Sequence, residues 1–130
     1  MTTRLPSPTT SFETLPFEQF WRWVQAHADC IVQAGTPDVT LYDDEAFHWR
    51  LSTLEPGLHL VHLMSGKRIV AELELRESAI TYVQMEPIEN DEHRFELVSE
   101  TETGRFVPYH FVMAHGYETE MPTPEDTWVN

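Results

Sequence analysis

The chain has 130 residues and 15.2 kDa, with 22 acidic against 8 basic side chains, a formal charge of −14, and 41% hydrophobic and 12% aromatic residues. That length fits one domain with a core of its own, and the aromatic content is too high for a disordered acidic chain. Lys67 is the single lysine, so the chain has too little positive charge for nucleic acid or an anionic lipid surface, both of which are held through Lys and Arg.

Residues 1–13 are rich in Thr, Ser and Pro and read as a loose leader. They contain no apolar stretch of the kind a secretory signal needs. With a single cysteine, no internal disulfide is possible, and no apolar run approaches the ~18 residues of a membrane span. Together these features predict a soluble, cytoplasmic protein.

Phe17, Phe20, Trp21, Val24, Ala28 and Ile31 recur at the spacing of one helical stripe. Thr14 suits a cap, Pro16 the first turn and Glu18 the positive end of the helix dipole. Gly35 and Pro37 close the segment, so the pattern predicts a helix over 15–34. Cys30 falls inside it, next to Ile31, and reads as a packed small hydrophobe. Trp23 lies about 200° round the helix from Trp21 and falls off the stripe, as an exposed ring would.

From Val39 the period becomes two. Phe47, Trp49, Leu51 and Thr53 alternate with polar residues; Pro56-Gly57 turns into a strand over 58–64; Ser65-Gly66-Lys67 turns into Ile69, Ala71, Leu73 and Leu75. Strands follow at 80–85, 95–99 and 106–115, with an acidic loop at 87–92. Short turns between such strands mean antiparallel hairpins. The expected fold is α+β: one domain over 14–116, with an N-terminal amphipathic helix packed on a curved antiparallel β-meander of six to seven strands. An acidic, Pro-containing tail over 117–130 carries Trp128, a large ring expected to dock on the body.

Few residues suggest chemistry. There is no Gly-x-Ser-x-Gly elbow, Cys-x-x-Cys pair, His-Glu-x-x-His helix or phosphate-cradling glycine loop. Asp43, Asp44 and Glu45 beside His48 lack the glycine and alternation of a calcium loop. No catalytic residue, metal site or cofactor is therefore assigned. His59 and His62 stand three apart in a strand and point to opposite faces.

The leading expectation is a non-enzymatic acidic module that neutralises, escorts or regulates a basic protein partner. Asp43, Asp44, Glu45, Glu89, Asp91 and Glu92 would form its charged rim, with Trp23, Tyr82 and Tyr109 as aromatic anchors. The plain alternative is that acidity serves solubility alone. A different class of reading is a small-ligand protein or enzyme with a pocket between helix and sheet, its polar groups supplied by His59, His62 and His110. A homodimer through an edge strand, 58–64 or 106–115, is a third.

Overall fold

The computed structural model describes residues 13–117. The expected leader lies outside them up to residue 12, as do residues 118–130 of the expected tail with Trp128. In chain order the elements are β1 (Glu13–Leu15), α1 (Phe17–Ala26), β2 (Ile31–Gly35), β3 (Thr40–Tyr42), β4 (His48–Glu55), β5 (Leu58–Ser65), β6 (Arg68–Arg76), β7 (Tyr82–Pro87), β8 (His93–Thr101) and β9 (Gly104–Met113).

The strands form two open antiparallel sheets in place of one meander. The larger has the order β1-β7-β8-β9-β2-β3 and the smaller the order β4-β5-β6. The predicted hairpins at Pro56-Gly57 and Ser65-Gly66-Lys67 are both made, and a third closes at Thr103-Gly104 between the strands expected at 95–99 and 106–115. The meander breaks after β6, where a 3-10 turn at Glu77–Ala79 redirects the chain and β7 pairs with β8 and β1. The strands proposed for dimerisation are both interior: β5 lies between β4 and β6, and β9 between β8 and β2. β5 is paired along both sides, whereas β9 meets β2 only at His110–Met113, so its Gly104–Tyr109 half is paired with β8 alone.

The helix is half as long as its apolar period suggests. It ends at Ala26, and His27 leaves helical geometry at φ −124° and ψ 33°. A 3-10 turn at Ala28–Cys30 follows, and then the β-branched pair Ile31 and Val32 enters a strand. Gly35 pairs with Thr40 on one side and His110 on the other. A Cβ at Gly35 would meet the Thr40 Cα at 2.8 Å, so only glycine lets the β2–β3 turn close this tightly. Ala28 and Ile31 thus matched a helical period while belonging to other elements. Tertiary pairing with β9 overrode local propensity here.

The buried residues of α1 are Phe17, Phe20, Trp21, Trp23 and Val24. They span an arc of about 160° at 3.6 residues per turn, wider than one sheet would need. Phe20 meets Phe95 and Phe111 of the large sheet at ring-centroid distances of 5.2 and 5.3 Å. Phe17 and Trp21 meet His59 of the small sheet at 5.3 and 4.8 Å. The helix therefore joins both sheets into one core, which also takes in Trp49, Val61, Leu63, Leu73, Leu75, Val83, Met85, Leu97 and Met113.

Trp23 corrects the sequence reading. It is 5% exposed, with its ring 5.2 Å from Phe95 and 6.3 Å from Phe20. Trp23→Ala should lower stability by about 3–5 kcal/mol, the usual cost of deleting a buried large aromatic. An exposed ring would cost less than about 0.5 kcal/mol. The urea midpoint, with its slope unchanged, measures which holds.

Candidate functional site

Antiparallel register decides which loops share an end of the large sheet. Pro87 pairs with His93, His93 with Met113, and Met113 with Ile31, forming one row across β7, β8, β9 and β2. The loop over 88–92 caps β7 and β8 at this end. β3 runs antiparallel to β2, so Asp43, just past its last residue, also lies here, where its N–H donates to the Val32 carbonyl at 2.9 Å. The two acidic loops are three strand spacings apart, roughly 14 Å.

In the 88–92 loop, Asn90 and Asp91 both adopt left-handed backbone, φ 62° and 66°, a conformation that Asn and Asp tolerate better than most residues. Ile88 N–H donates to the Glu92 carbonyl and Glu92 N–H to that of Glu89, which closes the loop. The Glu89 and Asp91 side chains are exposed and Glu92 is half-buried. In the other loop two of the acids have internal duties. Asp43 Oδ1 accepts the indole N–H of the buried Trp49 at 3.2 Å, and Asp44 Oδ1 accepts the Ala46 N–H at 2.9 Å. Glu45 is exposed.

The exit of α1, Cys30 and the residues after β9 lie at the same end. Trp23 is the centre of a ring cluster there: His27 stacks on it at 4.8 Å, while Tyr117 and His115 meet it edge-on at 5.4 and 5.8 Å. An open, largely apolar groove of about 380 Å³ is lined by Gln19, Arg22, Trp23, Ala26, His27 and Tyr117. Tyr117 separates it from a second hollow of about 250 Å³, lined by Glu13, Met85, Pro87, His93 and Gly116. A Cβ on Gly116 would come within 2.8 Å of His93 Nε2, so a larger residue here would require the His93 ring to shift. Pro87 and His93 flank the acidic 88–92 loop, so the second hollow adjoins it directly. The last turn of α1 carries no basic residue, but the C-cap His27 donates its ring Nδ1–H to the Trp23 carbonyl at 2.8 Å and its backbone N–H to the Val24 carbonyl at 3.0 Å.

Tyr82 and Tyr109 do not join this site. They pair at the Val98 and Leu97 levels, and Tyr82 is roughly 17 Å along β7 from Pro87. Tyr109 lies in one row with Val83 and Leu97 on the core face, and its hydroxyl accepts the Arg76 N–H at 3.1 Å, linking the two sheets. Tyr82 is half-buried on the other face. The sequence pattern gave the alternation correctly but not which face meets the core.

The three proposed pocket histidines do not converge. His59 faces the core between Phe17 and Trp21, its Nε2–H donating to Glu77 at 3.0 Å and its Nδ1 2.9 Å from the Thr53 hydroxyl. His62 is on the opposite face of β5, as its spacing predicted. Its Nε2–H donates to Glu72 at 3.1 Å, and its Nδ1 faces Arg50 Nη2 at 3.4 Å. A guanidinium only donates, so Nδ1 is the acceptor and Nε2 carries the proton. His110 belongs to the other sheet, opposite Glu96 and Gly35. None of the three lines either hollow.

Sequence reasoning missed the contact between Cys30 Sγ and His115 Nε2, at 3.3 Å across 85 positions. No local signal could have revealed it. Among the described residues, no group of three or more His, Cys, Asp or Glu side chains is arranged to hold a metal ion, and no helix is long and apolar enough to cross a membrane. Comparison with known proteins finds no match: no family model, no curated protein and no solved structure is similar to this chain beyond chance.

Burial pushes the His110 imidazole below its ordinary value, Arg94 pushes the same way, and Glu96 opposes them. The folded protein therefore takes up this proton less readily than the unfolded chain. Its neutral form is fully compatible with the fold above the ordinary value of ~6.5, and stability is lost as pH falls from there through the lowered folded value. His110→Gln should reduce that loss, measured as the difference between the two proteins' urea midpoints at pH 7.5 and 5. In an NMR titration, the His110 ring should change charge at lower pH than a free histidine.

Proposed function

We propose that the end of the large sheet bearing the two acidic loops is a docking surface for a basic protein segment. The observation that carries this reading is the register: pairing through β7, β8, β9 and β2 brings the 88–92 loop and the loop after β3 to one end, on either side of the α1 exit. Exposed carboxylates at Glu89, Asp91 and Glu45 place negative potential there. A positively charged segment would be steered to this end, and its association rate would fall with salt.

The groove gives such a segment somewhere to rest. Ala26, Tyr117 and the exposed margin of Trp23 offer apolar contact, and Gln19 and His27 offer polar groups. The cationic Arg22 opposes a basic side chain at this point, so the charged residues of the segment lie on the acidic loops and its apolar ones in the groove. Asp43 acts differently from the rim, since its carboxylate accepts the Trp49 indole N–H. The rim of this reading is therefore Glu45, Glu89, Asp91 and Glu92, with Asp44 partly committed to its own turn. The anchoring surface is the groove, in place of Tyr82 and Tyr109.

A peptide alternating arginine and leucine should bind the full chain with an affinity that drops as NaCl rises from 50 to 300 mM, read by fluorescence anisotropy. Glu89→Lys with Asp91→Lys should weaken it about tenfold at low salt, mostly through the association rate. Glu102→Lys, in the β8–β9 turn at the other end of the sheet, should change it less than about twofold. Equal losses from both sites would reduce the charge to a general solubility role.

A further inference from the structure

We propose that Cys30 and His115 form a thiol–imidazole pair that undergoes exchange with small cationic or neutral disulfides. This is independent of the docking surface above.

The geometry begins with a clamped backbone. Cys30 N–H donates to the His27 carbonyl at 2.8 Å, and the Cys30 carbonyl accepts the Ala114 N–H at 2.8 Å. The thiol is thereby held between the exit of α1 and the exit of β9, one residue from His115. His115 Nδ1 is 3.0 Å from the Gly116 carbonyl. A carbonyl only accepts, so Nδ1 carries the proton and Nε2 is left with its lone pair. That lone pair is 3.3 Å from Cys30 Sγ, so the thiol donates to it. Trp23 and His27 hold the ring edge-on at 5.8 and 5.3 Å. Nucleophile, base and orienting group thus stand in one chain of hydrogen bonds, the arrangement that activates a thiol. Cys30 is half-buried at the margin of the core, and the exchange requires that a small reagent reach its thiol. The indole Nε1 of Trp23, whose ring lies edge-on to that of His115 at 5.8 Å between centroids, is buried without a hydrogen-bond partner among the described residues.

The step balances without a further oxidant. The Cys30 proton passes to His115 Nε2, and the thiolate attacks one sulfur of the disulfide. The old S–S bond breaks as the new one forms, and the departing thiolate takes the proton from the imidazolium to leave as a thiol. One half of the reagent is reduced while Cys30 is oxidised to a mixed disulfide. The chain has a single cysteine, so no internal thiol resolves that product. Charge selects the reagent: Asp29 is next to Cys30 and the chain carries −14 overall, which attracts a cationic disulfide and repels an anionic one.

The full-length protein would be treated with cystamine (cationic), 2-hydroxyethyl disulfide (neutral) and the dianionic Ellman disulfide at pH 7, with rates followed by intact mass. Each reagent leaves at most one adduct, because there is one thiol. Relative to the same chain unfolded in urea at matched pH and salt, the folded protein should react faster with cystamine. The preference for cystamine over Ellman reagent, normalised to the unfolded chain, should shrink in 0.5 M NaCl. His115→Gln should slow the cystamine reaction about tenfold or more while near-ultraviolet circular dichroism shows the native fold. The proposal is overturned if folded and unfolded chains react alike or the folded one more slowly. A folded His115→Gln protein that keeps the native rate overturns it equally. Should that variant fail to fold, the comparison of native with unfolded chain decides alone.

Discussion

The contact of one short helix with two sheets sets the architecture. Phe20 rests on Phe95 and Phe111 of the six-stranded sheet, while Phe17 and Trp21 rest on His59 of the three-stranded one. Neither sheet makes a closed structure, and the small one, with its three strands, has little core of its own. Both share the apolar arc of α1. Large aromatic side chains suit this role because each covers much area with few rotatable bonds. Tyr109 adds a polar link between the sheets by accepting the Arg76 N–H.

This arrangement also explains what gathers at one end of the molecule. Because β1 runs towards the start of α1, the helix returns the chain to the end where Pro87, His93, Met113 and Ile31 pair in a row. Its exit, the acidic loops and the residues after β9 therefore meet there. Trp23 sits beneath them, with His27, His115 and Tyr117 around its ring. The carboxylates are on loops, where they stay hydrated and keep their charge at little cost, while the rings beside them remove apolar surface from water. The Cys30–His115 pair belongs to the same region and owes its geometry to backbone hydrogen bonds from α1 and β9.

The buried histidines of the small sheet are held differently. His59 and His62 are 7% and 6% exposed, and each gives its Nε2–H to a carboxylate on or just after β6. A buried imidazole without partners would cost several kcal/mol on the scale of unsatisfied polar groups. Here both ring nitrogens of each have a neighbour: Thr53 and Glu77 for His59, Arg50 and Glu72 for His62. The pairs work as polar fasteners across β4, β5 and β6, which is where two of the three histidines expected to line a ligand pocket are engaged.

The sequence by itself determined the local structure from Phe47 onward. Alternation over Trp49, Leu51 and Thr53 and over Ala71, Leu73 and Leu75 depends on a backbone period of two, and the turns at Pro56-Gly57 and Ser65-Gly66 depend on residues that favour reversal; neither needs distant partners, although a β-bulge pairs Ile69 with Met64 and leaves it 48% exposed, out of line with Ala71. The opposed directions of His59 and His62, and the apolar character of Phe17, Phe20, Trp21 and Val24, were legible for the same reason. Only the tertiary structure decided that Ile31–Gly35 is a strand, since its pairing with β9 supplies hydrogen bonds that a helical continuation would have had to match. It also decided that Trp23 is buried, because the helix meets sheets on two sides, and that Cys30 has an imidazole 85 positions away as its neighbour. Local preference acts over a few residues of backbone, whereas burial and side-chain partnership depend on which distant strands the chain brings alongside.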